Sequence, residues 1–342
     1  MIRAPLVVLL LAGCGFRLST GAGAGDGGTG DATGDGPESI DDGNVTTDAS
    51  TDGMPMDGPL QQTCVLGWLN HTIGFDTPVA LTPVNTTSYD RDPFVSSDEL
   101  TIWVSSGNEN SLGGGDVFKA TRANRSQPFG TPVRDPDFNT TNGAESKMSM
   151  TQSRLYTVVA SDVPGGAGGS DIYHSSRAST SAPWGALSRA QTMNLATGSS
   201  ELDPFVTSDG LSLYYSPSIG PQRIMVAKRT AVGDPFVSPE AVTAVNDGLA
   251  SSNFDPMLFA NDRVIVFASS RATSGAEPGA DNIWYATRAN VNAAWNPPIL
   301  LPGVGSDFDD GDPHVSPDGC TIYFARDVGG GVAWEIYTAS AQ

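Results

Sequence analysis

The chain has 342 residues, 39% of them hydrophobic, and sets 38 acidic against 18 basic side chains for a formal net charge of -20. That is enough apolar material for one large folded domain, and an acidic chain with no basic cluster excludes nucleic acid as a partner. The three histidines, His71, His174 and His314, have no cysteine or second histidine at zinc-ligand spacing, and no motif for an organic cofactor is present.

Residues 1–14, MIRAPLVVLLLAGC, carry one positive charge at Arg3, an apolar run from Ala4 to Leu11, and small residues before a cysteine. This reads as a secretory signal too short to span a bilayer. Leu11, Ala12, Gly13 and Cys14 resemble the lipobox of bacterial lipoproteins, which implies cleavage before Cys14 and acylation of that residue. An ordinary signal peptide cut nearby is the alternative. More than one acyl chain anchors stably, so the expected protein is exported and tethered to the cell envelope, with Gly15 favouring the outer membrane. Residues 15–60 are rich in glycine, aspartate and threonine, and no lysine or arginine occurs between Leu18 and Asp90. Such a segment cannot bury enough surface to fold and reads as a self-repelling acidic tether. Loose calcium binding by its aspartates is the other reading. Gly23, Gly25 and Gly28 fit GxGxxG, but no strand precedes them and no helix follows, so no dinucleotide site is expected.

From Asp92 onward the sequence repeats. The stretch DPFVSSDELTIWVSSGNENSLGGGDVFKATR (92–122) returns four more times, on anchors Asp92, Glu145, Asp203, Asp255 and Asp312 spaced by 53, 58, 52 and 57 residues. Proline follows four of them. Nine residues after the proline position stand Ile102, Leu155, Leu213, Ile265 and Ile322, and two further on Val104, Thr157, Tyr215, Phe267 and Phe324. That alternation marks a half-buried strand. Another strand is centred on Val117, Ile172, Ile224, Ile283 and Ile336, closed by arginine at Arg122, Arg177, Arg229 and Arg288. Between copies, an outer unit opens on an aromatic residue and ends ten positions later on asparagine or glycine: Phe75 to Asn85, Phe129 to Asn139, Trp184 to Asn194, Phe236 to Asn246 and Trp295 to Gly305.

A period of about 50 residues holding four short strands is the signature of a β-propeller blade. The expected fold is all-β, a single propeller of five four-stranded blades over residues 61–342, read as a monomer. The N-terminal outer unit should supply the missing strand of the last blade and so remove the open sheet edge. Val65–Leu69, which contains Trp68, could be the remnant of a sixth sheet. Cys64 precedes the first outer unit and Cys320 opens the second strand of the last copy. Ring closure should bring the two together, and export permits a disulfide between them.

The copies resemble the Pro-Asp propeller repeats of TolB and its relatives, most clearly in DPHVSPDGCTIYFAR (Asp312 to Arg326) and the following EIY of Glu335 to Tyr337. The second copy, ESKMSMTQSRLYTVVAS, matches poorly. The resemblance implies a periplasmic or surface propeller that binds other macromolecules without transforming them. TolB has six blades and a separate N-terminal domain, neither visible here, so its particular role and partner are not carried over. The acidic tether with such repeats resembles exported lipoproteins of myxobacteria. The expected partner is an envelope protein or a glycan.

The competing class is a five-bladed glycosidase-like or carbohydrate-binding protein, with Asp92, Glu145, Asp203, Asp255 and Asp312 ringing the channel mouth. Equivalent acids in every copy point instead to a shared structural role, since a catalytic set needs unlike environments. The leaning is therefore towards no catalytic residue and no enzyme, with any metal left open. No GxSxG elbow, Walker loop or EF-hand series occurs. Trp103, Trp184, Trp284, Trp295 and Trp334 read as inter-blade core.

Overall fold

The computed structural model describes residues 59–108, 110–193, 198–246, 251–272, 280–329 and 333–342. The signal segment with Cys14, the acidic spacer through Gly58, and Asn194 lie outside the described residues. One helix, α1 (Pro59–Leu69), precedes twenty strands. Among the described residues no helix is long and apolar enough to cross a membrane.

The strands form five antiparallel sheets of four. After β1 (Val79–Ala80), the first blade takes β2 (Asp90–Val95), β3 (Thr101–Ser106), β4 (Asp116–Thr121) and β5 (Val133–Arg134). The second takes β6 (Glu145–Met150), β7 (Tyr156–Ser161), β8 (Asp171–Ser176) and β9 (Ser188–Arg189). The third takes β10 (Glu201–Val206), β11 (Ser212–Pro217), β12 (Met225–Lys228) and β13 (Val237–Ala241). The fourth takes β14 (Asn253–Phe259), β15 (Val264–Ser269), β16 (Asn282–Thr287) and β17 (Ile299–Leu300). The fifth takes β18 (Asp310–Val315), β19 (Thr321–Asp327) and β20 (Trp334–Ser340), and borrows β1 as its outer strand. Val79 pairs with Thr338 and Ala80 with Tyr337, so the ring closes between the two ends of the described chain.

Apolar side chains bury between neighbouring sheets. Val95, Ile102, Val104 and Phe118 of the first blade pack with Tyr323, Ala325 and Ile336 of the fifth, and Val158 and Ile172 of the second pack with Leu213 and Tyr215 of the third. Each sheet therefore hides its faces only through its neighbours, as a propeller requires. Outer strands are held by side chains that imitate backbone. Asn139 accepts from Val117 N–H at 2.7 Å and donates to Val117 C=O at 2.8 Å, and Asn246 and Asn85 do the same for Ile224 and Ile336. In the fourth blade Gly305 holds this place against Asn282.

The arginine closing each third strand has two tasks. Its Nε donates to the carbonyl of the hairpin turn between strands one and two: Arg122 to Glu99, Arg177 to Arg154, Arg229 to Gly210 and Arg288 to Asp262. Its guanidinium lies 4.2–4.4 Å from the ring that opens the outer unit, Phe129, Trp184, Phe236 or Trp295 respectively. Such stacked cations contribute about 0.5–2 kcal/mol each.

The fifth blade has Ala341 where the others have arginine, and α1 supplies the substitute. Trp68 is fully buried, its Nε1 donates to the equivalent turn carbonyl of Gly319 at 2.9 Å, and its ring meets Phe75 edge-on at 5.7 Å. Val65–Leu69 is thus helical and part of the fifth blade, not a sixth sheet. On the same helix Cys64 is bonded to Cys320, with a Cα–Cα distance of 5.3 Å across 256 residues of sequence. In the chain-entropy picture a loop of that length gives an upper figure of about 5 kcal/mol.

Candidate functional site

The first strands converge on the propeller axis, and the third residue of each is turned inward by a bulge. In all five blades the ladder slips at this point, between Arg91 and Phe94, Ser146 and Met148, Leu202 and Phe205, Phe254 and Met257, and Gly311 and His314. The residue inside the slip has positive φ: 55° for Asp92, 40° for Lys147, 58° for Asp203, 55° for Asp255 and 53° for Asp312. Aspartate tolerates this region better than most residues, and the proline beside it lacks an N–H only where the ladder is already broken.

The ring is therefore four aspartates and one lysine. Glu145 is not a member: Lys147, 55 residues after Asp92, holds the equivalent place. Glu145 opens its strand, level with Asp90, Glu201, Asn253 and Asp310, and is fully buried. Its carboxylate accepts from Thr140 N–H (2.9 Å), Thr140 Oγ1 (2.8 Å) and Ser161 Oγ (2.8 Å), which fixes the preceding loop. The second copy is also two residues out of register elsewhere, so Thr157, not Leu155, is the counterpart of Ile102. The signal that finds this is the turn: Thr151-Gln152-Ser153-Arg154 aligns with Ser96-Ser97-Asp98-Glu99, and both fourth residues have φ of 57°.

Ring members hold one another. Asp92 accepts the N–H of Lys147 (3.1 Å), Asp203 that of Asp255 (3.4 Å) and Asp255 that of Asp312 (2.9 Å). The Lys147 ammonium lies 3.3 Å from Asp312, 3.7 Å from Asp255 and 3.9 Å from Asp92. Those three carboxylates lie within 4.8 Å of one another, a grouping that could ligate a hard cation, and the ammonium already supplies positive charge to all three. Arg91 adds the second cation. Its Nε donates to Asp312 at 3.0 Å, and its guanidinium lies 4.1 Å from the Trp334 ring centre.

Four carboxylates face two cations in a buried place, so protons make up the difference. Burial raises Asp312, but Arg91 and Lys147 outweigh it and hold that carboxyl well below its ordinary value. Burial and the Asp312 charge push Asp92 up to about 8, and burial raises Asp255 and Asp203 as well. His314 is also buried, its ring centre 4.9 Å from that of Phe94, and burial with the Lys147 charge depresses it to about 3, so it stays neutral.

A pH dependence of stability follows. Asp92 keeps its proton in the folded protein up to about 8, whereas the unfolded chain releases it near the ordinary 3.8. Folding therefore takes up a proton between these values, and stability falls as pH rises through that window. Asp92→Asn imitates the protonated form. Urea midpoints between pH 5 and pH 8 are expected to fall less steeply for the variant than for the natural protein, and equal slopes would refute the assignment. Asp262 and Asp281, both raised to about 6 by burial, titrate in both proteins and cancel in the comparison.

Above the ring lies a funnel of about 610 Å³ lined by Tyr89, Arg91, Glu145, Ser146, Leu202, Asp203, Gln222, Phe254 and Trp334, with Asp92, Asp255 and Asp312 reaching its floor, so Glu145 lines the funnel without belonging to the ring. The second residues of the first strands, Arg91, Ser146, Leu202, Phe254 and Gly311, occupy one structural position with five different side chains. Gly311 has a reason to be glycine, since a Cβ there would stand 3.1 Å from Asp255 Oδ2. Trp103 and Trp284 are buried between blades, Trp184 and Trp295 lie under arginines, and only Trp334 of these five reaches the funnel. His174 stacks on Tyr156, and His71 Nε2 lies 3.4 Å from Thr287 Oγ1.

The ring now has the unlike carboxyls that repetition alone argued against, Asp312 ionised and Asp92 protonated. Retaining glycosidases hold their two catalytic carboxyls about 5–5.5 Å apart and inverting ones about 6.5–9.5 Å. In this ring one oxygen from each of Asp92, Asp255 and Asp312 lies within 4.8 Å of the others, with the Lys147 ammonium beside all three.

No family model matches the chain, and no curated protein matches it in sequence. Solved structures share the fold. A putative TolB from Agrobacterium tumefaciens is 17% identical with a TM-score of 0.46, over 74% of this chain and 78% of that one. A thermostable family-43 glycoside hydrolase is 17% identical with a TM-score of 0.45, over 77% and 92%. The catalytic domain of a GH62 α-L-arabinofuranosidase from Coprinopsis cinerea is 10% identical with a TM-score of 0.49, over 79% and 96%.

Proposed function

We propose that this propeller is a non-enzymatic binding platform of the bacterial cell envelope, exported and anchored through acylated Cys14, with the axial funnel as its ligand site. The observation that carries this reading is the engagement of the ring carboxyls. Three of them surround the Lys147 ammonium, Asp312 also pairs with Arg91, and three accept ring N–H groups, so each ring carboxyl is tied to another member of the ring. The Cys64–Cys320 bond supports an oxidising compartment, in line with the lipobox-like Leu11–Cys14. The resemblance to TolB-type repeats points the same way, towards an envelope protein or a glycan as partner.

The competing reading, a glycosidase-like protein, draws on the unequal charge states of Asp92 and Asp312. Incubation with aryl arabinofuranosides, aryl xylosides and arabinan decides between them. No turnover is expected, and turnover abolished by Asp203→Asn would reverse the conclusion.

A further inference from the structure

The ring's cations sit closest to three of its four carboxylates, although the Lys147 charge still acts on the fourth, Asp203. Lys147 reaches Asp92, Asp255 and Asp312, and Arg91 reaches Asp312, but among the described residues no basic group lies within 4.0 Å of the Asp203 carboxylate. The reason lies in the repeat. Lys147 stands where the preceding blade would offer a carboxylate to the Asp203 N–H, and its ammonium comes within 4.0 Å of Asp92, Asp255 and Asp312. Asp203 is partly exposed and lines the funnel.

Around Asp203 the wall is slender and apolar. Leu202 and Phe254, both half-buried, stand beside it in the lining, with the Gln222 amide near. A second polar group lies buried behind this wall. Ser216 pairs with Leu202 across β10 and β11, so both side chains leave the same face of the sheet. Ser216 is fully buried, and its hydroxyl has no hydrogen-bond partner. Its counterpart in the first blade, Ser105, lines the funnel and accepts the N–H of Lys147.

We propose that the funnel binds an organic cation, an ammonium or guanidinium group on an aliphatic stem, with Asp203 as its counter-ion and Leu202 and Phe254 flanking the stem. The proposal rests on the funnel being the binding site argued above and specifies its ligand. The Asp203 carboxylate offers the counter-charge on this wall, and the Phe254 ring beside it can face a cation. A divalent metal wants six or more oxygen ligands; at Asp203 a single carboxylate stands between leucine and phenylalanine, and at the Asp92, Asp255 and Asp312 group the Lys147 ammonium already holds the place of a cation. Arg91 does not oppose a cationic guest, because its charge is paired with Asp312 and its guanidinium is stacked on Trp334.

Isothermal titration of the natural protein at low ionic strength tests this with cadaverine and agmatine as free cations. A Gly-Lys-Gly peptide stands for a partner's side chain, and glutarate and arabinotriose serve as anionic and neutral probes. Saturable one-site binding of an amine probe is expected, weakened by added salt, with none for glutarate; whether the free amines or the peptide bind more tightly identifies the source of the cation. Asp203→Asn should weaken it about tenfold or more, as loss of a charge-assisted hydrogen bond does. Leu202→Arg, a change at a half-buried wall position, should abolish it by placing a guanidinium in the cavity. Absence of amine binding, or equal affinity in Asp203→Asn, overturns the proposal. Arabinotriose binding without amine binding overturns it too but leaves the funnel a binding site, whereas silence from every probe counts against both.

Discussion

Lys147→Met is expected to lower the unfolding free energy by about 3–5 kcal/mol, the range found when one partner of a buried ion pair is removed. Methionine keeps the stem and its packing but takes the ammonium from between Asp92, Asp255 and Asp312, which are at most 8% exposed. The carboxylates then repel one another unless more of them bind protons. The deficit should accordingly shrink towards pH 4 and be largest near pH 8, a trend that a simple packing defect would not produce. Guanidinium unfolding curves of the two proteins across that range decide it. A loss below about 1 kcal/mol at pH 8 would mean that the ring does not depend on its lysine.

The second large effect belongs to α1. Trp68→Ala should cost about 3–5 kcal/mol, since it removes a fully buried indole that meets Phe75, Phe259 and Tyr285 edge-on at 5.1–5.7 Å. Trp68→Phe should cost much less, leaving mainly the Gly319 carbonyl without its donor, worth about 1–3 kcal/mol. Thermal melting with the Cys64–Cys320 bond intact separates this contribution from that of the crosslink. If Trp68→Ala melts with the natural protein, the helix is an ornament on the fifth blade and not part of it.

Both positions lie beyond what local sequence carries. The period, the five sheets, the closing strand and the arginine and asparagine positions were legible because each is local and repeats. Asp92, Asp203, Asp255 and Asp312 were found for the same reason. Lys147 is hidden in the repeat because an acid, Glu145, stands two residues upstream at the spacing of the other anchors. The two residues differ in role because side chains alternate along a strand and the bulge re-aims only the third position. The role of Trp68 is not legible because its partners lie far along the chain, Gly319 being 251 residues away. Nothing near Trp68 in sequence says that an indole N–H will do the work of an arginine Nε missing at Ala341. The proton distribution around the ring was illegible too, since it depends on burial and on which carboxylates the ammonium faces.

The pairing of β1 with β20 sets an order for assembly. As the polypeptide leaves the ribosome, the sheets made of β2–β5, β6–β9, β10–β13 and β14–β17 can each form from contiguous sequence. The segment from Cys64 to Asn85 precedes these four sheets in the chain, yet its strand pairs with β20 and its cysteine with Cys320, 256 residues further on. It therefore completes its contacts only after the four contiguous sheets can have formed, and until then the Phe75 ring and the Cys64 thiol lack their final cover, a vulnerable interval for aggregation and mispairing.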